Sequence, residues 1–308
     1  MTHGRVLGRA ALLTAALLVA AGCTGAPPAP RTPTEGGPPP ATTGTTPAPT
    51  TAAQPPAVTR PDHIVLLMLE NKDYASINGS AEAPYLNSLA RQGATFTHSF
   101  AITHPSQPNY VAIISGSTQG VTSDACPQQF RGKENLPHQL LAAGLGFVGY
   151  SESMPAAGFT GCSAAGLYAR KHNGWVDFDN VPDTSNQPFS AFPTDFSTLP
   201  TLAYVVPNLC NDMHDCPIST GDRWTRDHLD AYVQWAKTHN SVLIVTLDED
   251  GGARDNRIFT VVVGEHVKVG AFDERIDHYA ILRTIEAAYG LSALGSAAQR
   301  TPITDIWR

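Results

Sequence analysis

Residues able to do chemistry collect directly after short apolar runs in this sequence. Glu70 and Asn71 follow His63 to Leu69 (HIVLLML), and His104 to Asn109 (HPSQPN) follows Thr95 to Ala101. Asn208 to His214 (NLCNDMH) follows Leu202 to Val206, and Asp248, Glu249 and Asp250 follow Ser241 to Leu247 (SVLIVTL). His278 opens a later helical pattern. Carboxylates are rare at the ends of buried apolar strands unless something compensates their charge. Several of them on one rim call for a cation. The segments point to a site at the carboxyl edge of a sheet, where open α/β folds place their ligands.

The elements that must position these residues alternate in type. Continuous apolar runs at His63 to Leu69 and Ser241 to Leu247 read as strands buried on both faces. Thr95 to Ala101, Gly146 to Tyr150, Leu202 to Val206 and Ile258 to Val263 are further expected strands. Helices are expected over Tyr85 to Arg91, ended by Gly93, over Asn109 to Ser115 with Pro108 in its first turn, and up to Gly144 from about Leu140. Arg223 to Lys237 and Asp277 to Tyr289 complete the set. Ser151 to Pro200, rich in Gly, Pro, Asn and Ser, reads as long loops over the active face. This alternation predicts an α/β fold: a mostly parallel central sheet with helices on both faces.

The 308 residues cannot all belong to that fold. Met1 to Gly22 has Arg5 and Arg9, then an apolar run from Ala10 to Ala21, and reads as an export signal. Small residues lead into Cys23 as in a bacterial lipoprotein box, so Cys23 is the expected lipidation point and the only expected membrane contact. Residues 23–60, almost entirely Pro, Thr, Ala and Gly, read as a disordered tether. Residues 61–308 then form the catalytic domain, exported and held at the cell surface or secreted. A formal charge of −7 without a Lys/Arg cluster excludes nucleic-acid binding by phosphate neutralisation. Four cysteines remain after Cys23, and an even number in an exported chain predicts two disulfides, Cys126 with Cys162 and Cys210 with Cys216. Zinc ligation is the rival reading, but no C-x-x-C spacing occurs.

The segments LENKDY, HPSQPNYVAIISG, PNLCNDMHD, TLDEDGG and DHYAILRTIEAAYGL, in this order, resemble the bacterial phosphoesterase family of acid phosphatase A and bacterial phospholipases C. Within it the secreted acid phosphatases of mycobacteria share the pattern, and the family belongs to the alkaline phosphatase superfamily. The resemblance runs from about Asp62 to the terminal TPITDIW. It implies that Ser106 attacks phosphorus, giving a phosphoserine intermediate, activated by direct metal coordination. Glu70, Asn71, Asp248 and Glu249 would hold that metal together with Ser106. Oxygen donors favour Mg²⁺, Ca²⁺ or Mn²⁺ over Zn²⁺. Asp212, His214 and His278 resemble second-site ligands of two-metal members, or would grip phosphate and protonate the leaving group. Asn109 occupies the place of an amide that holds a phosphate oxygen, with a turn former or helix cap as the plainer reading. His104, Lys171 and His172 are candidate substrate contacts, Arg170 less so.

The implied activity is hydrolysis of small-molecule or lipid phosphate monoesters. A phosphodiesterase or phospholipase C of the same family is the enzymatic alternative, and a non-catalytic lipoprotein that captures phosphorylated ligands is the other. A Ser-His-Asp hydrolase is disfavoured because no G-x-S-x-G elbow occurs. A sulfatase is disfavoured because Ser106-Gln107-Pro108-Asn109 leads to Tyr110, where that class carries Arg.

Overall fold

A computed structural model describes residues 58–253 and 255–308; the expected signal, Cys23 and the tether up to residue 57 lie outside the described residues. The elements run β1 (His63–Leu69), α1 (Tyr74–Ile77), α2 (Pro84–Gln92), β2 (Ala94–Phe100), α3 (Ser106–Ser115), α4 (Leu136–Ala142) and β3 (Phe147–Ser151). A small hairpin of β4 (Ser163–Ala164) and β5 (Tyr168–Ala169) follows, then β6 (Asn186–Pro188), β7 (Leu202–Val206) and α5 (Ile218–Ala236). The chain closes with β8 (Ser241–Leu247), β9 (Thr260–Gly264), β10 (Gly270–Asp277) and α6 (His278–Tyr289).

Eight strands form one sheet in the order β10-β2-β9-β8-β1-β7-β3-β6. β1 sits centrally, parallel to β7 and β8, and β3 is parallel to β7 and β6. Strand β9 alone runs against its neighbours β8 and β2. The strand itself was expected over Ile258 to Val263 in a mostly parallel sheet; its direction makes the segment bearing Asp248 to Asp250 part of the connection of an antiparallel β8–β9 pair.

The central strand shows why its apolar run is unbroken. Ile64, Leu66 and Met68 pack into the core shared with α3, α4 and α6, while Val65, Leu67 and Leu69 pack into the core shared with α2 and α5. Helix α3 is buried along its whole length, which is why it carries no amphipathic stripe. It starts at Ser106, three residues before the expected start at Asn109, and Pro108 does stand in its first turn.

Gly93 ends α2 as expected, with an extended φ of −141°, and glycine is needed there because a Cβ would meet Val262 O at 2.1 Å. Strand β10 was not anticipated: half-buried and exposed residues alternate along GAFDER at the sheet edge, so it lacks the dense apolar run of the inner strands. Both expected disulfides are present, Cys126–Cys162 and Cys210–Cys216. Among the described residues no helix is long and apolar enough to cross a membrane.

Candidate active site

The carboxyl ends of β1, β7 and β8 bring the acidic residues together, and the backbone ladder continues past the strand ends to pin them. Glu70 N–H donates to Asp212 O at 2.8 Å, and Asp248 N–H donates to Leu69 O at 3.0 Å. Ser106 enters from the other side as the first residue of α3. Its hydroxyl lies 3.1 Å from Glu70 Oε2 and 3.1 Å from Glu249 Oε1, and the residue is 2% exposed. Asp248 accepts from the Asn71 backbone N–H at 3.1 Å through Oδ1, while its Oδ2 has no partner. Asn71 holds this position with φ +52°, a left-handed conformation that Asn tolerates better than most residues.

A second group adjoins the first through Glu70. The other Glu70 oxygen accepts from Tyr110 OH. Tyr110 stacks on the His172 ring at 4.8 Å between centroids. His172 Nε2 lies 3.1 Å from Glu70 Oε1 and its Nδ1 3.4 Å from Asp212 Oδ2. Yet Nε2 and Oδ2 lie off any hydrogen-bond line and are buried without partners. Glu70, His172 and Asp212 can each offer one ligand atom, all within 4.8 Å of one another.

Burial sets the protonation of this rim. Burial, then the charges of Asp248 and Asp212, hold the Glu70 carboxyl well above its ordinary range. Burial and the neighbouring Glu249 push Asp248 up to about 8, and burial pushes Asp212 up to about 7. Burial likewise holds His172 well below 6.5 and His278 at about 4, so both rings are neutral at pH 7 and keep a lone pair. The ligand atoms of Glu70, His172 and Asp212, within 4.8 Å of one another, fit a divalent cation. Asn71 Oδ1, His172 Nε2, Asp212 Oδ2 and Asp248 Oδ2 are all buried and unpartnered, an arrangement that costs free energy unless an ion takes them.

The remaining expected residues divide by what they touch. His104, part exposed, bonds Glu249 Oε2 through Nδ1, and its Nε2 lies 3.5 Å from Asp250 Oδ1. His214 is at the rim, its Nδ1 2.7 Å from Asp215 and its ring 5.9 Å from His172. His278 donates from Nε2 to Leu247 O at 2.8 Å, leaving a buried Nδ1 unpartnered beneath the end of β8. Lys171 pairs with Asp124 at 2.7 Å. Arg170 is buried against Asp177 at 2.9 Å and anchors the turn that carries Lys171 and His172.

Asn109 has a different task from the expected phosphate contact. Its Oδ1 accepts from Ile102 N–H and Thr103 N–H at 3.0 and 3.1 Å, and its Nδ2 donates to Thr103 O and Pro105 O at 2.8 and 3.2 Å. Fully buried, it braces the turn leading into Ser106. Sequence reading overlooked Tyr110 and Asp124. Tyr110 stands four residues after Ser106, one helical turn on, which is a readable signal. Asp124 lies in a stretch without periodicity and offered none.

This fold and rim define an α/β protein with a buried acidic site around one serine. In three dimensions the chain is similar to a protein in the alkaline phosphatase superfamily from Vibrio parahaemolyticus, with a TM-score of 0.55 and 13% identity over 80% of this chain and 72% of that one. Residues 79–292 match the model of the Phosphoesterase family. The chain is 50% identical over 247 residues to phosphatidylinositol-3-phosphatase of Mycobacterium tuberculosis, covering 80% of this chain and 82% of that protein. It is 33% identical to the phosphate-repressible acid phosphatase of Penicillium chrysogenum, over 76% of this chain and 60% of that protein. The chain belongs to the phosphoesterase family and is an enzyme that hydrolyses phosphoric esters.

Proposed function

We propose that the chain is a metal-dependent phosphomonoesterase using Ser106 as nucleophile. The observation that carries this reading is the Ser106 hydroxyl, 3.1 Å from both Glu70 and Glu249, on a rim where Asp248 and Asn71 each hold a buried oxygen without a partner. Glu70, Asn71, Asp248 and Glu249 would hold a divalent cation with Ser106, and His172 and Asp212 extend the donor set on the far side of Glu70. Such an ion supplies positive charge that lowers the hydroxyl pKa and offsets the charge of the phosphoryl oxygens.

Ser106 Oγ then forms a bond to phosphorus as the ester P–O bond breaks, and its proton passes to a neighbouring carboxylate. The departing alkoxide takes a proton from a group at the rim, a role we assign to His214. Water hydrolyses the phosphoserine and releases inorganic phosphate, restoring the hydroxyl. Lys171 is the candidate phosphate contact, His104 orients Glu249, and His278 supports the end of β8.

The substrate class we propose is phosphate monoesters, small or carried on lipid; the half-identical mycobacterial phosphatidylinositol-3-phosphatase makes inositol phospholipids the lipid to try. Comparing rates on p-nitrophenyl phosphate and bis-p-nitrophenyl phosphate tests the reading, with faster monoester turnover expected. Faster diester turnover would move the chain to the phosphodiesterase reading, and absence of both would leave a phosphate binder.

We also propose that the enzyme works outside the cytoplasm: a signal at 1–22, lipid at Cys23, a tether to residue 60 and the catalytic domain beyond. The N-terminal pattern supports this, as do two disulfides of the kind that persist in oxidising compartments. Fatty-acid labelling should be lost in Cys23→Ala, and labelling that persists would remove the anchor.

A further inference from the structure

A carboxylate sits where a phosphate would find its donors. Asp124 Oδ1 accepts from the Gln107 backbone N–H at 3.0 Å, and Asp124 Oδ2 accepts from Lys171 Nζ at 2.7 Å. Gln107 directly follows Ser106 in the first turn of α3, so its N–H is one of the donors a helix leaves free at its N-terminus. Lys171 is carried on the same short turn as His172. Among the described residues neither the Gln107 N–H nor the Lys171 ammonium has another hydrogen-bond acceptor. A backbone N–H and a cation converging on two oxygens of one anion, next to a nucleophilic hydroxyl, match what a phosphoryl group requires.

The carboxylate is also able to leave. The Asp124 side chain is 31% exposed, so water can take over its solvation once it swings outward. Burial raises its pKa, but the Lys171 and Gln107 hydrogen bonds outweigh that and hold it below the ordinary value, so it competes as an anion.

We propose that Asp124 is an internal occupant of the substrate's phosphate seat, displaced when a phosphate monoester binds so that Gln107 N–H and Lys171 take two phosphoryl oxygens. This rests on reading Ser106 as the nucleophile of a phosphate hydrolase. Apparent affinity falls by the fraction of molecules whose seat is open, so a carboxylate in place nine-tenths of the time weakens phosphate binding about tenfold.

The test is calorimetric titration of inorganic phosphate into the full chain with its divalent cation, comparing wild type and Asp124→Asn. The asparagine keeps an acceptor for Gln107 N–H and loses the charge; Asp124→Ser takes its place if that variant fails to fold. Phosphate should bind about tenfold tighter, with KM for p-nitrophenyl phosphate falling in parallel. Unchanged or weaker binding overturns the proposal, because a carboxylate that only positions Lys171 would lose affinity when removed. If the wild type binds phosphate and the variant binds it no tighter, Asp124 alone is misread. If the wild type neither binds phosphate nor turns over ester, the hydrolase reading falls with it.

Discussion

Ser106 has one proton and two carboxylates within reach of it, Glu70 and Glu249, each at 3.1 Å. Replacing it by alanine removes the nucleophile and almost no packing. We expect Ser106→Ala to lower turnover by at least about 10³-fold while leaving the melting temperature nearly unchanged; activity close to wild type would remove Ser106 from the mechanism. The acids around it have a signature in stability. Asp248 titrates at about 8 in the folded chain against an ordinary 3.8, so the folded state holds its proton where the unfolded state has lost it. Without a cation, that contribution is present below about pH 4 and is lost as pH rises through about 8. A divalent cation favours the ionised carboxylates and reverses the trend. The gap in melting temperature between cation-loaded and chelated protein should therefore be wider at pH 8 than at pH 5; an equal or narrower gap would contradict the clustering of acids around an ion.

Strands β1, β7 and β8 were legible to the residue, because a strand buried on both faces must be apolar throughout. Their carboxyl ends then placed Glu70, Asp212 and Asp248 on one rim. What stayed hidden depends on contacts distant in sequence. The antiparallel course of β9 follows from a turn whose chemistry reads as a binding loop, and half-exposed β10 has the composition of a loop. Asn109 carries the same lesson: its amide reads as a ligand from its place in the motif, and only the fold shows Ile102, Thr103 and Pro105 around it. Asn109→Ala should cost about 2–4 kcal/mol in urea unfolding, from several buried bonds lost together. If stability holds while KM alone rises, the side chain reaches phosphate after all. Gly93→Ala sets a Cβ against Val262 O and should cost about 1–3 kcal/mol; a neutral effect would mean that the β2–β9 contact yields.

At the scale of the whole molecule, the two cores on either face of the sheet hold the rim, and the disulfides fasten the loops that cover it. Cys126–Cys162 spans 36 residues and ties the segment bearing Asp124 to the hairpin before Lys171, while Cys210–Cys216 spans 6 residues around Asp212 and His214. Loop-closure entropy makes the longer one the greater contributor, about 3–4 kcal/mol against about 2 kcal/mol. Replacing each pair by serine should give that order in denaturant unfolding, and the reverse order would point to native-state strain or residual structure instead. The central claim is that one cation, gathered by acids at the carboxyl ends of β1 and β8, activates a single serine. Turnover of p-nitrophenyl phosphate by the purified enzyme, measured before chelation, after it, and after divalent ion is restored, tests that claim most directly. Activity should vanish on chelation and return with the ion; turnover that continues undiminished in metal-free enzyme would contradict the account.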